Sequence, residues 1–441
     1  MLITSRYRNV LFAIWMLVAF AAAGYKTFNR LPASTFAAPG HKTSSSLNKP
    51  VTKPENTLTN TAQPLRFEAQ FVSSVPGQAV HAASIVELRD GSLRAVWFSG
   101  TREGAGDVTI QTAVMNPISQ RWEPETTLFN RAQLERGMHR YIKKIGNPVI
   151  ARAPDGSLFV WMVNVSLGGW AGSAISWARS EDEGKTWSAP KRLVTSPFLN
   201  ISTLVKGAPV AMADGSVFLP VYHEFITKFG EVLHLNAQGQ VIDKTRIPGS
   251  HTSLQPVVLV ASPVEAKAYL RAGFGGKVVM TSTRDAGKTW ADARASNLPN
   301  PDSALAGLVS SRGDQWLALN PTAAGRQSLA LFKVSNGASF DAAQAMFVEG
   351  SAQTQDASGN SMPKADHAAL LGRALKAQGV NDTDLQAYVA SAARQLCGPV
   401  ACTQEFSYPF LLQTRDGSLH LVYTWHRSRI KHIRIDHAAI D

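Results

Sequence analysis

From about residue 65 to 436 the chain alternates short apolar runs with brief polar turns. Four of those turns are nearly identical: Asp90-Gly-Ser-Leu93, Asp155-Gly-Ser-Leu158, Asp214-Gly-Ser-Val217 and Asp416-Gly-Ser-Leu419, each between two apolar runs. An acid, a glycine and a hydroxyl at that spacing close a hairpin, so the runs on either side read as paired antiparallel strands. Leu65-Arg-Phe-Glu-Ala-Gln-Phe-Val72 alternates with period two and reads as one more strand. Pro363 to Leu396 breaks the pattern. There Leu385, Tyr388, Val389, Ala392 and Leu396 share a helical face behind Asn381-Asp-Thr-Asp384, a good capping cluster.

A longer repeat organises the strands. Ser180-Glu-Asp-Glu-Gly-Lys-Thr-Trp187 and Thr283-Arg-Asp-Ala-Gly-Lys-Thr-Trp290 share the octet S/T-x-D-x-G-x-T-W, an Asp box. Its acid bonds amides across a tight turn, its glycine takes positive φ, and its tryptophan packs inward, so the box is structural. Weaker copies end at Trp122 and Phe340. The two full boxes lie 103 residues apart, which spans two units of a four-stranded blade of roughly 40–50 residues. Counting turns predicts an all-β, six-bladed β-propeller, with blades near 81–124, 147–190, 206–245, 254–293, 304–342 and 408–436. Residues 65–72 would complete the last blade and close the ring without exposed edges. The helical stretch then becomes an insertion, about 351–404, between blades five and six: decoration, or a rim over the site.

With 44% hydrophobic and 17% charged residues, the chain suits one sizeable globular unit, here 65–436. About half of the net charge of +12 sits in the first 65 residues, and no nucleic-acid motif accompanies it. Nucleic acid is therefore not an expected partner, and the charge reads as generic attraction to anions. Residues 1–38 form a targeting segment: Arg6 and Arg8 precede an apolar run from Val10 to Gly24, with Lys26 after it. The run is short for a span and Ala21-Ala-Ala23 offers a cleavage site, so a signal peptide and an uncleaved inner-membrane anchor both fit. Either exports the propeller to the periplasm or cell surface. Residues 39–64, rich in Ser, Thr, Pro, Asn and Lys, read as a disordered stalk. The only cysteines, Cys397 and Cys402, are spaced for a small disulfide loop; a metal pair is the weaker alternative, because no ligand-spaced histidine lies near them. No metal or cofactor is expected.

Chemistry in a propeller belongs at the ends of the inner strands, around the central funnel. Unusually polar positions recur there: His81, Arg102-Glu103 with Asp107, Asn147, Lys206, His223-Glu224, Gln255, Arg271, Asn300 with Asp302, Asn320, Glu405 with Tyr408, and Arg427. Charges in such a setting need partners or a ligand.

Together with the boxes, Trp97-Phe-Ser-Gly-Thr-Arg-Glu-Gly104, Gly146-Asn-Pro148, Leu298-Pro-Asn-Pro-Asp-Ser303, Glu405-Phe-Ser-Tyr-Pro409, His420-Leu-Val-Tyr-Thr-Trp425 and Arg429-Ile-Lys-His432 carry a resemblance. Over 66–436 the chain resembles the BNR-repeat sialidase-like proteins. The resemblance implies a glycosidase for an acidic, sialic-acid-type sugar, with arginines on the sugar carboxylate, a tyrosine–glutamate nucleophile and an aspartate acid/base. By position it assigns Tyr408 as nucleophile, Glu405 or Glu224 as its partner, Asp107 as acid, and Arg102, Arg271 and Arg427 as carboxylate ligands. The polar strand ends His81, Asn147, His223, Gln255, Asn300 and Asn320 would complete the substrate site. The sialidase entry motif Phe/Tyr-Arg-Ile-Pro is absent, with His81-Ala-Ala-Ser84 in its place. A uronic-acid lyase using histidine and tyrosine, or a non-catalytic glycan-binding propeller, would use the same funnel.

Overall fold

A computed structural model describes residues 5–28, 34–37, 67–196, 200–335, 338–351 and 361–436. Six antiparallel sheets follow one another and form a six-bladed β-propeller. Blade 1 comprises Ala79–Glu87, Leu93–Gly100, Thr109–Met115 and Thr126–Phe129; blade 2 comprises Lys144–Arg152, Leu158–Val165, Ser173–Ser180 and Lys191–Arg192. In blade 3 the innermost strand is broken into Leu204–Val205 and Val210–Ala211, both paired with Val217–His223. Ser253–Val260 opens blade 4, Ala306–Val309 blade 5 and Phe406–Gln413 blade 6. The ring closes as the alternation at 65–72 predicts: Phe67–Phe71 pairs with Arg429–Ile435, from Phe67↔Ile435 to Phe71↔Lys431, so the sixth blade joins both ends of the ring. Closure removes the two free edges that an open arrangement would leave.

The blades hold together through aromatic and branched side chains between neighbouring sheets. Trp97, Trp161 and Trp316, each on the second strand of its blade, are no more than 1% exposed, and each burial contributes roughly 2–3 kcal/mol. The Asp boxes sit on the outer turns. Asp182 accepts from the Thr186 amide at 2.9 Å and the Thr186 hydroxyl at 2.6 Å; Asp285 makes the same pair with Thr289 at 2.9 and 2.6 Å. Gly184 and Gly287 both stand at φ 83°, which a side chain would strain. The four Asp-Gly-Ser turns are alike too: in each, the aspartate accepts from the amide two residues on, at 2.9–3.0 Å. The weak copy before Phe340 falls partly at residues 336–337, outside the described residues.

Among the described residues four α-helices lie outside the blades. Helix α1 (Ser5–Phe28) carries the apolar run, with Leu11, Phe12, Trp15, Leu17 and Phe20 exposed; no described helix is long and apolar enough to cross a membrane. The proposed stalk, 39–64, lies outside the described residues. Just before it, residues 34–37 lie against blades 3 and 4: the Phe36 amide donates to Pro263 O at 2.8 Å, and the buried Phe36 ring meets Phe218 edge-on at 5.5 Å. Helix α2 (Arg131–Met138) links blades 1 and 2. The insertion folds as α3 (Lys364–Lys376), α4 (Asp382–Leu396) and a small Ser361–Pro363/Ala401–Thr403 ladder. Asn381 caps α4 through the Asp384 amide at 2.9 Å. Tyr388, Ser391 and Arg394 of α4 donate to the carbonyls of Ser74, Gln78 and Gly77, at the seam where the ring closes. Gln395 reaches Thr101 O at 3.3 Å, which places the insertion on the rim beside the 101–107 turn of blade 1. Cys397 and Cys402 are joined as a disulfide.

Candidate functional site

The inner strands of four blades share one irregularity. In blade 1 the register passes from His81↔Phe98 to Ser84↔Val96; in blade 2 from Gly146↔Val163 to Val149↔Trp161; in blade 4 from Leu254↔Arg271 to Val257↔Tyr269; in blade 6 from Ser407↔Thr424 to Phe410↔Val422. Each is a β-bulge, two residues facing one, and its first extra residue is left-handed: Ala82 at φ 57°, Asn147 at 41°, Gln255 at 53° and Tyr408 at 53°. In three of them a proline follows, Pro148, Pro256 and Pro409, with no amide to offer where the ladder is broken. Non-glycine residues at positive φ cost of order 1–3 kcal/mol each, and bulges re-aim side chains. Here they turn the side chains of separate blades toward one another.

The result is a polar network across blades 2, 3, 4 and 6. Asn147 Nδ2 and Gln255 Nε2 both donate to the Tyr222 hydroxyl, at 3.3 Å each. Gln255 Nε2 also donates to the Tyr408 hydroxyl at 3.2 Å, and Arg271 Nη1 donates to Tyr408 at 3.4 Å and to Gln255 Oε1 at 3.2 Å. Arg271 Nε is held by Asp302 at 2.6 Å. The His81 ring lies 4.2 Å from that of Tyr408, centroid to centroid. Beneath them Lys206, fully buried, donates to the carbonyls of Leu305 and Pro409.

Beside this network lies a second cluster. Glu405 accepts from Arg427 Nε at 2.9 Å, Arg326 Nη1 at 3.2 Å and Ser407 Oγ at 2.5 Å, and Arg427 Nη1 also meets Glu103 at 3.1 Å. Arg326 Nη2 donates to Asp302 O at 2.9 Å, which ties the two clusters together.

Electrostatics sort the titratable groups. Burial alone would raise the Glu405 pKa, but Arg427 and Arg326 outweigh it and hold the carboxyl well below the usual range. Glu224 behaves oppositely: burial pushes its pKa up against the pull of Lys228 and Arg271. Its carboxylate makes no hydrogen bond or ion pair with any described residue; only its amide is engaged, by Ser202. Burial, then Arg427, keeps His81 neutral, far below the ordinary histidine value. Lys206 is pushed down to about 7 by burial and by Arg271. Burial raises Tyr222, with Tyr408 and Glu224 adding to it.

The structure thus gathers His81, Asn147, Gln255, Arg271 and Tyr408 around one point, with Glu405 and Arg427 adjoining. Other sequence-assigned residues lie apart. Arg102 is exposed on the 101–107 turn and pairs with no acid among the described residues. Asp107 closes the same turn, accepting from the Thr101 amide at 2.9 Å and hydroxyl at 3.0 Å. Asn300 is fully buried and folds the loop that presents Asp302, bonding Ser303 O at 3.0 Å. Asn320 stitches blade 5 to blade 6 through Phe406 O at 2.7 Å. His223 stacks on Phe229 at 4.6 Å, with Nε2 on Phe225 O at 3.1 Å. Neither Glu405 nor Glu224 bonds the Tyr408 hydroxyl; the amide of Gln255 does.

Two members of the site escaped the sequence reading. Tyr222 belongs to an apolar strand, Val217–His223, where an aromatic reads as core. Arg326 sits in the loop before Leu329–Val334, and no motif marks it.

A six-bladed propeller carrying Asp boxes and a tyrosine–arginine centre defines a class, and the family comparison agrees. Residues 91–421 match the BNR repeat-like domain, and the chain belongs to that family. A sialidase of Bacteroides fragilis is 26% identical over 156 residues, which cover 30% of this chain and only 25% of that sialidase. Among solved structures, the Hadza microbial sialidase Hz136 superposes with a TM-score of 0.60 at 15% identity, over 82% of this chain and 66% of its own. An intramolecular trans-sialidase from Ruminococcus gnavus, complexed with oseltamivir carboxylate, gives 0.56 at 11% identity, over 84% and 96%. A protein of unknown function from Dyadobacter fermentans gives 0.59 at 12%, over 84% and 98%. At these identities the structural likeness speaks for the fold.

Proposed function

We propose that this chain is a glycosidase for an acidic, sialic-acid-type sugar, with Tyr408 as the group that attacks the anomeric carbon. One observation carries the proposal. On a left-handed bulge in the funnel, the Tyr408 oxygen accepts from both Arg271 and Gln255, at 3.4 and 3.2 Å. Two preorganised donors stabilise the phenoxide as an oxyanion hole stabilises its anion. A phenol also avoids the repulsion that a carboxylate nucleophile would meet from the substrate's own acid group. Arg271 Nη2 and Arg427 Nη2 have no acceptor among the described residues, and neither is sealed from solvent, so each offers a guanidinium edge to that acid.

Glu224, uncommitted and with a raised pKa, is the proton carrier in this scheme. Tyr408 oxygen bonds to the anomeric carbon as the glycosidic bond breaks. The phenol proton leaves through Glu224 and the departing oxygen gains one. Water then attacks the same carbon and Tyr408 recovers its proton.

A second reading has an observation of its own. The adjoining His81 and Tyr408 rings, with no carboxylate on the phenol, suit elimination next to a uronate. One experiment separates the two: purified protein is given a panel of α-ketosidic sialosides and uronic-acid glycans, with Tyr408→Phe alongside. Release of free sugar that is lost in Tyr408→Phe supports hydrolysis. An unsaturated product supports elimination, and binding without turnover leaves a lectin-like propeller.

The same proposal places the propeller outside the cytoplasm, at the cell envelope, tethered by α1 if that segment is retained. The basic–apolar start of the chain and the Cys397–Cys402 disulfide support it. A C-terminal reporter that works only after export should be active; a full-length fusion that accumulates with its reporter inactive would refute it.

A further inference from the structure

At the junction of the insertion and blade 6, four side chains converge that the funnel does not use. His367 comes from α3, Cys397 ends α4, Cys402 lies on Ala401–Thr403, and His426 follows the Leu419–Trp425 strand. A ring nitrogen of His367 and both sulfurs lie within 4.8 Å of one another. His367 is 1% exposed and His426 0%, and their rings stand 5.4 Å apart. His367 Nε2 and both ring nitrogens of His426 are buried without a hydrogen-bond partner. Three orphaned nitrogens in one buried spot ask for an explanation, because each would otherwise carry an uncompensated desolvation cost.

We propose that the reduced form of this cluster is a tetrahedral site for a zinc-class divalent cation, with Cys397, Cys402, His367 and His426 as ligands. Two thiolates and two imidazoles are the soft and borderline donors that such a cation takes in closed structural sites. Zinc bonds of roughly 2.0–2.3 Å put donor atoms about 3.5 Å apart and two imidazole centroids about 5 Å apart. His367, Cys397 and Cys402 already stand within 4.8 Å of one another; His426 lies outside that group, beside His367, and its ring must turn toward the sulfurs to supply the fourth bond.

In the structure the sulfurs are joined, so loading needs a dithiol or comparable two-electron reductant. Each sulfur gains one electron and one proton as the S–S bond breaks and the reductant is oxidised to its own disulfide. The cation then displaces both thiol protons into solvent. Oxidised and metal-loaded forms would each close the same junction, one by a covalent bond and the other by four ligands. His426 adjoins Arg427, so the cation would also brace the second cluster of the funnel.

Cobalt(II), a spectroscopic stand-in for zinc, tests this on the full chain. Protein reduced by a phosphine and titrated with cobalt should show thiolate-to-cobalt charge transfer and tetrahedral d–d bands saturating at one ion per chain, displaced by zinc. The same protein left oxidised should show neither. His367→Ala should weaken binding at least tenfold, with the reduced variant's circular dichroism matching wild type. Absence of the charge-transfer band in reduced wild type, or undiminished affinity in a folded His367→Ala, overturns the proposal. Should His367→Ala fail to fold, His426→Ala gives the same reading on the opposite ligand.

Discussion

The Asp-box turns and the funnel are both built from polar side chains bonded to their surroundings, yet they are assembled in opposite ways. Asp285 finds its partners within four residues, at Thr283 and Thr289. Tyr408 finds its partners 153 and 137 residues away, at Gln255 and Arg271. A box is complete once its octet is folded; the funnel exists only when four blades have closed. The first kind of site spends its bonds on shape. The second keeps its acceptors strained at positive φ and its arginine edges open, and so retains something to offer a ligand.

The sharpest test of that contrast is Tyr408→Phe. Removing one oxygen should lower turnover by roughly 10²–10³-fold while leaving the melting temperature within a few degrees of wild type. Steady-state kinetics beside a calorimetric melt checks both halves. A large loss of stability with little loss of turnover would mean that the phenol is a packing element, and the contrast would fail.

Next in size is Glu405→Gln, which takes from Arg326 its carboxylate and leaves half-buried Arg427 with Glu103 alone, and should cost about 2 kcal/mol at neutral pH. Glu405 also carries a sign in pH. Its folded-state pKa lies below the ordinary value of 4.5, so its contribution is present above that value and fades as pH falls through the folded one. Denaturant midpoints should therefore separate wild type from Glu405→Gln most at neutral pH and converge in acid. Lys206 works at the other end of the scale. With its folded pKa near 7 against an ordinary 10.5, the neutral form is favoured in the fold, and wild-type stability should rise with pH between those values by up to about 1.4 kcal/mol per unit. Lys206→Met should flatten that slope; an unchanged slope would mean another group titrates there.

What could be read in the sequence follows the same division. The hairpins, the boxes, the ring-closing strand and the capped α4 rest on local chemistry, and each stands where its residues place it. The funnel was legible only where polarity broke an apolar strand end, as at Asn147, Gln255, Arg271 and Tyr408. Tyr222 gave no such signal, since an aromatic in a buried strand looks the same whether its hydroxyl is used or not. At Arg102 the strand pattern is silent, because the placing of a charge beside a strand end depends on how its turn folds, and Asp107 folds that turn on Thr101. His367 and the cysteines lie too far apart in sequence for any ligand spacing to join them; α3 and α4 do so in space.

The smallest effect closes the comparison from the structural side. Asp285→Ala removes three short hydrogen bonds, to Thr283 Oγ1, the Thr289 amide and Thr289 Oγ1, at 2.8, 2.9 and 2.6 Å. The box faces solvent at its tip, so water replaces much of what is lost, and the cost should be about 1–2 kcal/mol. Gly287 keeps its own bond to Thr283 Oγ1 at 3.0 Å, so the turn has a second fastening and should not open. The box caps an outer turn of blade 4, whereas Gln255 and Arg271 sit on that blade's two inner strands. Turnover by Asp285→Ala should therefore equal wild type within twofold at temperatures where both are folded. A catalytic loss as large as that of Tyr408→Phe would show that the outer turn sets the inner bulge, and that the two kinds of site are not separable after all.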